Sequence, residues 1–451
     1  MTTEIGLHIR FIIDVDEARV ALTRRRGFEE PDLSPRMKEG IQRVFGEELS
    51  AKEVVDRIIA DVRREGDEAV RRYSHHLDGA TPTQFEVPQE IWESSLAELD
   101  PKVQDALWTA AQRIGDFHRK QLRTSWLDYS VDGALGQIIR PLERVGIYTP
   151  GGSAAYPSSL LMTAIPARVA GVADLFVCSP PSNNGAISPL ILAAAAVAGV
   201  DRVFQIGGAQ AIAAMAYGTE TVPHVDKIYG PGNIFVVLSK QRVFGAVAID
   251  QLPGPTETLI VADDSADAKI AAADMLAQAE HDPMASAILL TTSAELAGLV
   301  NDELVRQIEE LERGPIAAQS LSTNGIIAVV PDVEIAIDLA NLYAPEHLCL
   351  LLHDPWQAVP LVKHAGGIFL GEDSPEALGD YTAGPSHVMP TGGTARFSSP
   401  IHVQDFTKVI SIAAANKRAL QKLGPATIAL ARAEGLTAHA RAIERRLERE
   451  D

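Results

Sequence analysis

The sequence predicts an α/β protein with two doubly wound parallel sheets of similar design. Two observations support this prediction. Between residues 144 and 256, short apolar runs alternate with glycine turns and alanine-rich helical segments, and this repetition indicates parallel βαβ units. Between residues 257 and 400 the same alternation recurs with longer helices. We therefore expect two sheets, each covered by helices on both faces.

The part of the chain before the first of these repeats is predicted to be helical. Residues 1–35 show no clear hydrophobic period and are interpreted as an N-terminal arm. Residues 52–72 carry an apolar stripe at helical spacing, which is typical of an amphipathic helix that packs on a core. We group residues 36–143 with residues 257–400 as a first, discontinuous αβ domain, into which residues 144–256 are inserted as a second αβ domain.

The inserted domain is predicted to be Rossmann-like. Its strands are expected at residues 145–148, 175–178, 202–206 and 227–229, and its first helices at residues 158–172 and 188–198. Gly151, Gly207 and Gly230 follow strands at turns into helices, where backbone N–H groups can receive phosphates. The dinucleotide fingerprint Gly-x-Gly-x-x-Gly is absent, so the turns by themselves leave nucleotide binding open.

The discontinuous domain is predicted to be Rossmann-like as well. Its strands are expected at residues 258–262, 286–291, 325–330, 348–352 and 367–370, and its helices at residues 265–280, 294–313 and 333–343. Ser265 is the expected N-cap of the first of these helices. Residues 371–400 lack a period, and loops of this length in compact enzymes are more often functional than idle. Residues 401–451 predict a helical C-terminal tail that ends in a charged run.

Composition excludes several classes of protein. The formal net charge of −20 argues against binding to nucleic acid or to an anionic membrane surface. No apolar run is long enough to span a bilayer, and the first residues lack the features of a signal peptide. Cys178 and Cys349 are the two cysteines, so we expect no disulfide framework and a cytoplasmic protein. Any metal must then be held by nitrogen and oxygen ligands.

Glu346 and His347 are the first candidate site. The predicted helix 333–343 is stopped by Pro345, which lacks an N–H and disfavours a helical conformation at the preceding residue. The carboxylate and the imidazole therefore stand at a turn before an apolar strand, where both can face one cavity. Such a pair can exchange protons near neutral pH, although a solvated pair on a loop is the alternative interpretation.

Other candidate ligands lie on three separate segments. Gln278 and His281 are three residues apart, so they share a face at the last turn of their predicted helix. Asp380 lies in the long segment without a period, between a glycine and a tyrosine. None of these residues forms a recognised metal-binding spacing by itself.

Glu434 and His439 form a further pair of an acid and an imidazole, in the tail. Gly435 is expected to break the helix between them, and Thr437 to cap the next one. His439 would then lie in the first turn of a helix, where the helix dipole disfavours the imidazolium and keeps the ring neutral.

Taken together, these motifs resemble the histidinol dehydrogenase family from about residue 34 to the C-terminal helix. The segments that carry the resemblance are 148–152 (Tyr-Thr-Pro-Gly-Gly), 207–211, 230–233 (Gly-Pro-Gly-Asn), 278–281 (Gln-Ala-Glu-His), 344–348 (Ala-Pro-Glu-His-Leu), 379–381, 390–396 and 436–439. The resemblance implies NAD-dependent and zinc-dependent oxidation of L-histidinol to L-histidine by way of the aldehyde, which is the last step of histidine biosynthesis.

The resemblance also implies roles for individual residues. It implies that Glu346 and His347 are the catalytic acid–base pair. It implies one zinc ion per subunit, bound by Gln278, His281, Asp380 and His439. It implies that NAD contacts Tyr148, Gln210 and Asn233. It implies that the substrate is contacted by the zinc ligands and the acid–base pair, together with Thr256, His387 and Glu434.

Finally, the resemblance implies a homodimer with shared active sites, in which the tail brings Glu434 and His439 to the neighbouring subunit. Two positions depart from the family pattern: Thr256 stands where serine is usual, and Ser386 where asparagine is common. The alternatives to histidinol oxidation are a relative that oxidises another small alcohol, a zinc hydrolase with Glu346 as its base, and a catalytically silent nucleotide-binding scaffold.

Overall fold

A computed structural model describes residues 7–23, 33–79, 82, 84–151, 156–182 and 185–448. Three parts of the prediction lie outside the described residues: residues 1–6 and 24–32 of the N-terminal arm, Gly152 of the first glycine turn, and residues 449–451 of the tail.

The described residues form strands and helices in alternation along most of the chain. The strands are β1 (Arg10–Ile12), β2 (Trp126–Ser130), β3 (Gly133–Pro141), β4 (Arg144–Tyr148), β5 (Asp174–Cys178), β6 (Arg202–Phe204), β7 (Lys227–Tyr229), β8 (Ala248–Ile249), β9 (Glu257–Ala262), β10 (Ser286–Thr291), β11 (Ile326–Val329), β12 (His347–Leu351), β13 (Gly367–Leu370) and β14 (Thr407–Ala415). The helices before residue 250 are α1 (Val15–Thr23), α2 (Pro35–Phe45), α3 (Ala51–Glu65), α4 (Asp67–Tyr73), α5 (Gln89–Glu98), α6 (Pro101–Arg119), α7 (Pro157–Ala170), α8 (Pro189–Ala198), α9 (Gly208–Tyr217) and α10 (Ile234–Val243). The later helices are α11 (Ala268–Ala279), α12 (Ala294–Ile308), α13 (Gly314–Asn324), α14 (Val333–Tyr343), α15 (Pro355–Ala358), α16 (Glu376–Tyr381), α17 (Lys417–Ala433) and α18 (Thr437–Leu447).

The larger sheet is six-stranded and parallel, with the order β1-β11-β10-β9-β12-β13. Apolar side chains of α11, α12 and α13 cover one face, and those of α1 and α14 cover the other. The central strand β9 is buried at every residue, as a parallel strand covered on both faces must be. The predicted doubly wound sheet is thus confirmed.

The second sheet is five-stranded and parallel, with the order β6-β5-β4-β7-β8. Helices α3, α4, α9 and α10 pack on one face, and helices α5 to α8 pack on the other. The second predicted doubly wound sheet is therefore also confirmed. No helix in the described ranges has both the length and the apolar content needed to cross a membrane.

The helices that precede residue 120 pack differently from the predicted grouping. Val54 and Ile58 of α3 contact the core around α9, and Ile114 of α6 packs in the core formed by α7 and α8. These helices thus cover the five-stranded sheet, whereas the sequence-based prediction groups residues 36–143 with residues 257–400. The apolar stripe of a helix shows which face is buried, but it does not identify the surface that buries it.

The described part of the predicted arm also carries regular structure. Strand β1 pairs in parallel with β11 and forms an edge of the six-stranded sheet, and Leu22 of α1 is buried against that sheet. Three residues of strand are too few to show a period in the sequence, so this pairing could not be predicted.

The tail predicted to be helical from residue 401 begins with a strand before its helices. Residues 407–415 form β14, which pairs with β3 over nine residues in an antiparallel sheet of order β14-β3-β2. The run Thr-Lys-Val-Ile-Ser-Ile is rich in β-branched residues, which favour strands. Helices α17 and α18 follow, as predicted.

Three further boundaries differ from the prediction. Helix α11 begins at Ala268 with Asp267 as its N-cap, because Ser265 bonds instead to Asp263. The helix predicted at residues 294–313 ends at Ile308, and α13 begins separately at Gly314. The segment without a period contains the short helix α16.

Candidate active site

Most of the predicted catalytic residues lie at the amino ends of the strands of the six-stranded sheet. Thr256 immediately precedes β9, and Glu346 immediately precedes β12, which begins at His347. Gln278 lies at the end of α11, which returns to the same edge because a helix after a parallel strand runs back along it. Ligands of doubly wound sheets usually bind at the opposite, carboxyl edge. Here the catalytic candidates occupy the amino edge.

The turn before β12 is built as the sequence predicts. Helix α14 ends at Tyr343, and Ala344 adopts a left-handed conformation with φ 54°, which is uncommon for a residue other than glycine. Pro345 then leads the chain directly into the strand. Glu346 and His347 are both buried, so the alternative of a solvated pair on a loop is wrong.

Glu346 is a buried carboxyl group with two hydrogen-bond donors. Its Oε2 accepts from the hydroxyl of Thr256 at 2.6 Å and from the backbone N–H of Glu257 at 3.0 Å. Burial raises the pKa of Glu346 to about 8, and the two hydrogen bonds oppose part of this rise because they favour the ionised form. The carboxyl group can therefore hold or release a proton near neutral pH.

The ring of His347 is fixed on one side and free on the other. Its Nδ1 lies 3.1 Å from the carbonyl oxygen of Glu257, and a carbonyl can only accept, so Nδ1 carries the proton. Its Nε2 is buried without a hydrogen-bond partner and lies 3.9 Å from Oδ1 of Asp380. In the neutral ring Nε2 carries the lone pair, which is the arrangement that a general base requires.

Asp380 connects His347 with His387. Its Oδ1 lies 3.7 Å from Nδ1 of His387, and its backbone carbonyl accepts from the same nitrogen at 2.7 Å. The other ring nitrogen, Nε2, lies 3.0 Å from the hydroxyl of Ser159, on α7 of the five-stranded sheet. Burial lowers the pKa of His387, against the opposing effect of Asp380. The ring is thus held in the neutral form between the two sheets.

Gln278 contacts Thr256, which in turn contacts Glu346 of the acid–base pair. It is 2% exposed, and one orientation of its amide satisfies both ends. In that orientation Nε2 donates to Oε1 of Glu376 at 3.0 Å, and the oxygen accepts from the N–H of Glu257 at 2.8 Å. His281, beyond the end of the same helix, is exposed, and its carbonyl accepts from Arg313 at 3.1 Å.

Glu376 is a member of this cluster that the sequence analysis missed. It is 2% exposed, and its Oε2 lies 3.8 Å from the thiol sulfur of Cys349. Burial raises the pKa of Glu376 to about 7, while the nearby His347 opposes the rise. The residue lies in the segment without a period, where no pattern distinguishes a buried glutamate from an exposed one.

The two candidates in the tail are not brought to this cluster within one chain. Gly435, with φ 76°, breaks the helix as predicted, but Thr437 is the first residue of α18 and does not cap it. Glu434 and His439 are exposed. Within the described ranges, no group of three or more histidine, cysteine, aspartate or glutamate residues could hold a metal ion. The described residues of one chain therefore do not assemble a metal site from these side chains by themselves.

The predicted nucleotide contacts lie at the carboxyl edge of the five-stranded sheet. Tyr148 ends β4 and is buried, with its hydroxyl accepting from the N–H of Gly208 at 3.1 Å. Gln210 is fully buried, and its Nε2 donates to Asp78 at 3.0 Å. Asn233 is exposed, and its side-chain oxygen caps α10. Tyr148 and Gln210 thus shape the turns, and Asn233 is the exposed residue of the three.

Asp78 is a second residue that the sequence analysis missed. Its carboxylate lies next to Gly207 at the start of α9, where an anion is favoured by the helix dipole. Burial raises the pKa of Asp78 to about 6. This helix N-terminus therefore already carries a carboxylate of the protein itself.

Known proteins are similar to this chain in sequence and in fold. The sequence profile of the family described as histidinol dehydrogenase matches residues 42–447. A histidinol dehydrogenase of Deinococcus radiodurans is 51% identical over 433 residues, which cover 96% of this chain and 98% of that protein. One of Thermus thermophilus is 52% identical over 397 residues, which cover 88% of this chain and 95% of that protein.

A solved structure agrees with these sequence matches. The crystal structure of histidinol dehydrogenase from Elizabethkingia anophelis superimposes with a TM-score of 0.90 at 34% identity, and covers 98% of this chain and 99% of that one. The match therefore includes both parallel sheets and the tail. On this evidence, the chain belongs to the histidinol dehydrogenase family.

Proposed function

We propose that this protein oxidises L-histidinol to L-histidine by way of L-histidinaldehyde, with NAD⁺ as the oxidant, as the last step of histidine biosynthesis. The observation that supports the chemistry best is the pairing of two buried groups. His347 offers an unpaired Nε2, and the adjacent Glu346 has a pKa raised to about 8. Membership of the family supports the choice of substrate.

The first half-reaction needs a base for the alcohol proton. An alcohol carbon loses a hydride readily only as its O–H proton leaves, and Nε2 of His347 is the buried acceptor for that proton. The bond from Nδ1 to the carbonyl oxygen of Glu257 fixes the tautomer and orients the ring. Bound NAD⁺ would supply the acceptor for the hydride.

The second half-reaction needs an activated water. The aldehyde must add water before a second hydride can leave, and the carboxylate form of Glu346 can take the proton of that water. The hydrogen bonds from Thr256 and the backbone of Glu257 hold Oε2 in place and keep part of the population ionised. Serine is usual at position 256, and threonine keeps the hydroxyl that donates to Glu346. The departure from the family pattern is therefore compatible with the proposed role of Glu346.

The residues present fit a zinc ion in their donor chemistry. Gln278, His281 and Asp380 offer nitrogen and oxygen donors, and Asp380 faces the unpaired Nε2 of His347. We propose that these three residues and His439 of a second copy hold one zinc ion per subunit. Zinc, when bound, would supply a Lewis acid with open positions that orients the imidazole and amine of the substrate.

An uncovered apolar surface supports the homodimer. Trp126 and Leu135 of the antiparallel sheet are 50% and 63% exposed, and Val409 of β14 is 55% exposed. Patches of this kind mark interaction sites. In the proposed dimer the second copy covers this sheet, and its tail brings Glu434 and His439 to the site, where they and His387 line the substrate pocket.

We assign NAD to the glycine turns of the five-stranded sheet, near Tyr148, Gln210 and Asn233. Asn233 is an exposed polar residue at the N-terminus of α10, which suits a polar contact with a dinucleotide. We also propose that residues 144–256 and residues 257–400 act as the nucleotide and catalytic units, and that the protein is cytoplasmic.

The test is the stoichiometry of reduction. The purified protein with L-histidinol and NAD⁺ should form two NADH per substrate and release L-histidine, both measured after complete conversion. One NADH per substrate would contradict the four-electron reaction. A panel of other small alcohols distinguishes the relative with altered specificity, and a hydrolase would form no NADH at all.

A further inference from the structure

A fully buried ion pair lies behind the proposed nucleotide turn. The ammonium group of Lys240, on α10, contacts the carboxylate of Asp250, which follows β8. Their side chains are 0% and 4% exposed. The described side-chain hydrogen bonds of both residues go to Gly230 and not to the predicted catalytic cluster, and neither residue lies in the segments that carry the family resemblance.

The pair binds both polar groups of one residue, Gly230. The N–H of Gly230 donates to Oδ2 of Asp250 at 2.8 Å, and its carbonyl accepts from Nζ of Lys240 at 2.9 Å. The ammonium and the carboxylate thus each form a hydrogen bond with the backbone of the same residue. Because that residue lies between β7 and α10, the pair joins the end of a strand to the helix that follows it.

Gly230 has a conformation and a close packing that only glycine allows. Its φ is 113°, and a Cβ there would lie 1.9 Å from the carbonyl oxygen of Tyr148. The backbone of the turn therefore packs closely against the end of β4. Three residues later, Asn233 caps α10. Gly230 thus lies against Tyr148 and three residues before Asn233, two of the residues assigned to NAD.

A buried ion pair is a poor source of stability, because the cost of desolvating the charges offsets their attraction. The two charges must nevertheless stay in contact, because removing one of them leaves the other buried without a partner and strongly destabilises the fold. A pair of apolar side chains would fill the same space but could not hydrogen-bond to Gly230. The arrangement is therefore suited to fixing the turn.

We propose that Lys240 and Asp250 are positioning residues that hold the turn from Gly230 to Asn233 in the conformation that binds the dinucleotide. The inference rests on the assignment of NAD to this turn in the proposed function. It extends that function by naming two buried residues that act on NAD binding through Gly230, without touching the dinucleotide.

The main test is the double variant Lys240→Met with Asp250→Asn. It leaves no buried charge and keeps an acceptor for the N–H of Gly230, while the carbonyl loses its donor. If the turn then holds its binding conformation about a tenth of the time, the KM and Kd for NAD⁺ rise about tenfold. At saturating NAD⁺ the kcat should change less than about twofold, and the KM for histidinol should stay unchanged. Unchanged NAD⁺ binding in a folded double variant would overturn the proposal.

The matched control is an exposed ion pair on the same helix. Arg242 of α10 pairs with Asp56 of α3, and both side chains are more than a third exposed. The double variant Arg242→Met with Asp56→Asn should bind NAD⁺ as the wild type does. If this control lost NAD⁺ affinity to the same extent, the effect would come from a general destabilisation of α10. That result would overturn the proposal.

Hydrogen exchange on the wild-type protein keeps the proposal testable if the double variant does not fold. The amide of Gly230 should exchange slowly before NAD⁺ is added, since its acceptor is buried. Exchange as fast as in an exposed loop would contradict a preformed turn. Hydrogen exchange does not require turnover, so it tests the positioning role by itself. NADH formation by the wild-type protein is measured separately and tests the proposed function. The failure of one can therefore be distinguished from the failure of the other.

Discussion

The hydroxyl of Thr256 lies 2.6 Å from Oε2 of Glu346 and donates to it. Thr256 precedes β9 and Glu346 precedes β12, and these neighbouring strands pair in parallel. The contact joins residues that are 90 positions apart in the chain. Burial raises the pKa of this carboxyl group, which we propose as the base of the second half-reaction, and the hydrogen bond from Thr256 opposes part of that rise.

Replacing Thr256 by valine should shift the pH profile of aldehyde oxidation upward. The hydroxyl favours the carboxylate and thereby lowers the pKa of Glu346, so its removal raises that pKa further above about 8. A larger fraction of Glu346 is then protonated at neutral pH, and activity requires more alkaline conditions. Thr256→Ser keeps the hydroxyl and should keep the wild-type profile. The measurement is the pH dependence of the aldehyde step; a downward shift would contradict the assignment.

Glu346→Gln should impair aldehyde oxidation more than alcohol oxidation, because only the former needs an activated water. Removal of a general base costs roughly 10²–10⁴-fold in rate. The two steps are compared by single-turnover measurements that start from histidinol or from histidinaldehyde. Equal losses in both steps would show that Glu346 has another role.

Removal of the proposed metal should abolish turnover and leave most of the fold intact. Gln278 lies near the end of α11, which packs in the core through its own apolar side chains, and His281 follows that helix, so the core does not depend on a metal. Treatment with a chelator, or the variant His281→Ala, should therefore lower zinc content and activity together, with little change in circular dichroism. His353→Ala, at an exposed position, is the matched control. Full activity in a metal-free preparation would disprove the zinc role.

Shared sites predict that two inactive variants restore activity when combined. His347→Ala and His439→Ala are each expected to be inactive. After unfolding and refolding together, about half the dimers are mixed by random pairing, and each mixed dimer has one intact site. About a quarter of wild-type activity should then return, measured against each variant refolded alone. No recovery would mean that every chain completes its own site.

The sequence by itself determined the elements whose signals are local. The helix 333–343 matches α14 at both ends, and the predicted strands 286–291 and 367–370 match β10 and β13. Hydrophobic period, Pro345 and the glycine turns were sufficient, because each acts on the few residues around it. The same local signals located the Glu346–His347 turn.

The tertiary structure alone decided which of these elements meet. It placed the helices before residue 120 on the five-stranded sheet, paired β1 and β14 with distant strands, and buried Glu376 beside Gln278. It also left His439 on an exposed tail. The physical reason is the same in each case: an apolar face or a carboxylate can be identified from the sequence, but its partner is selected by packing between residues far apart in the chain.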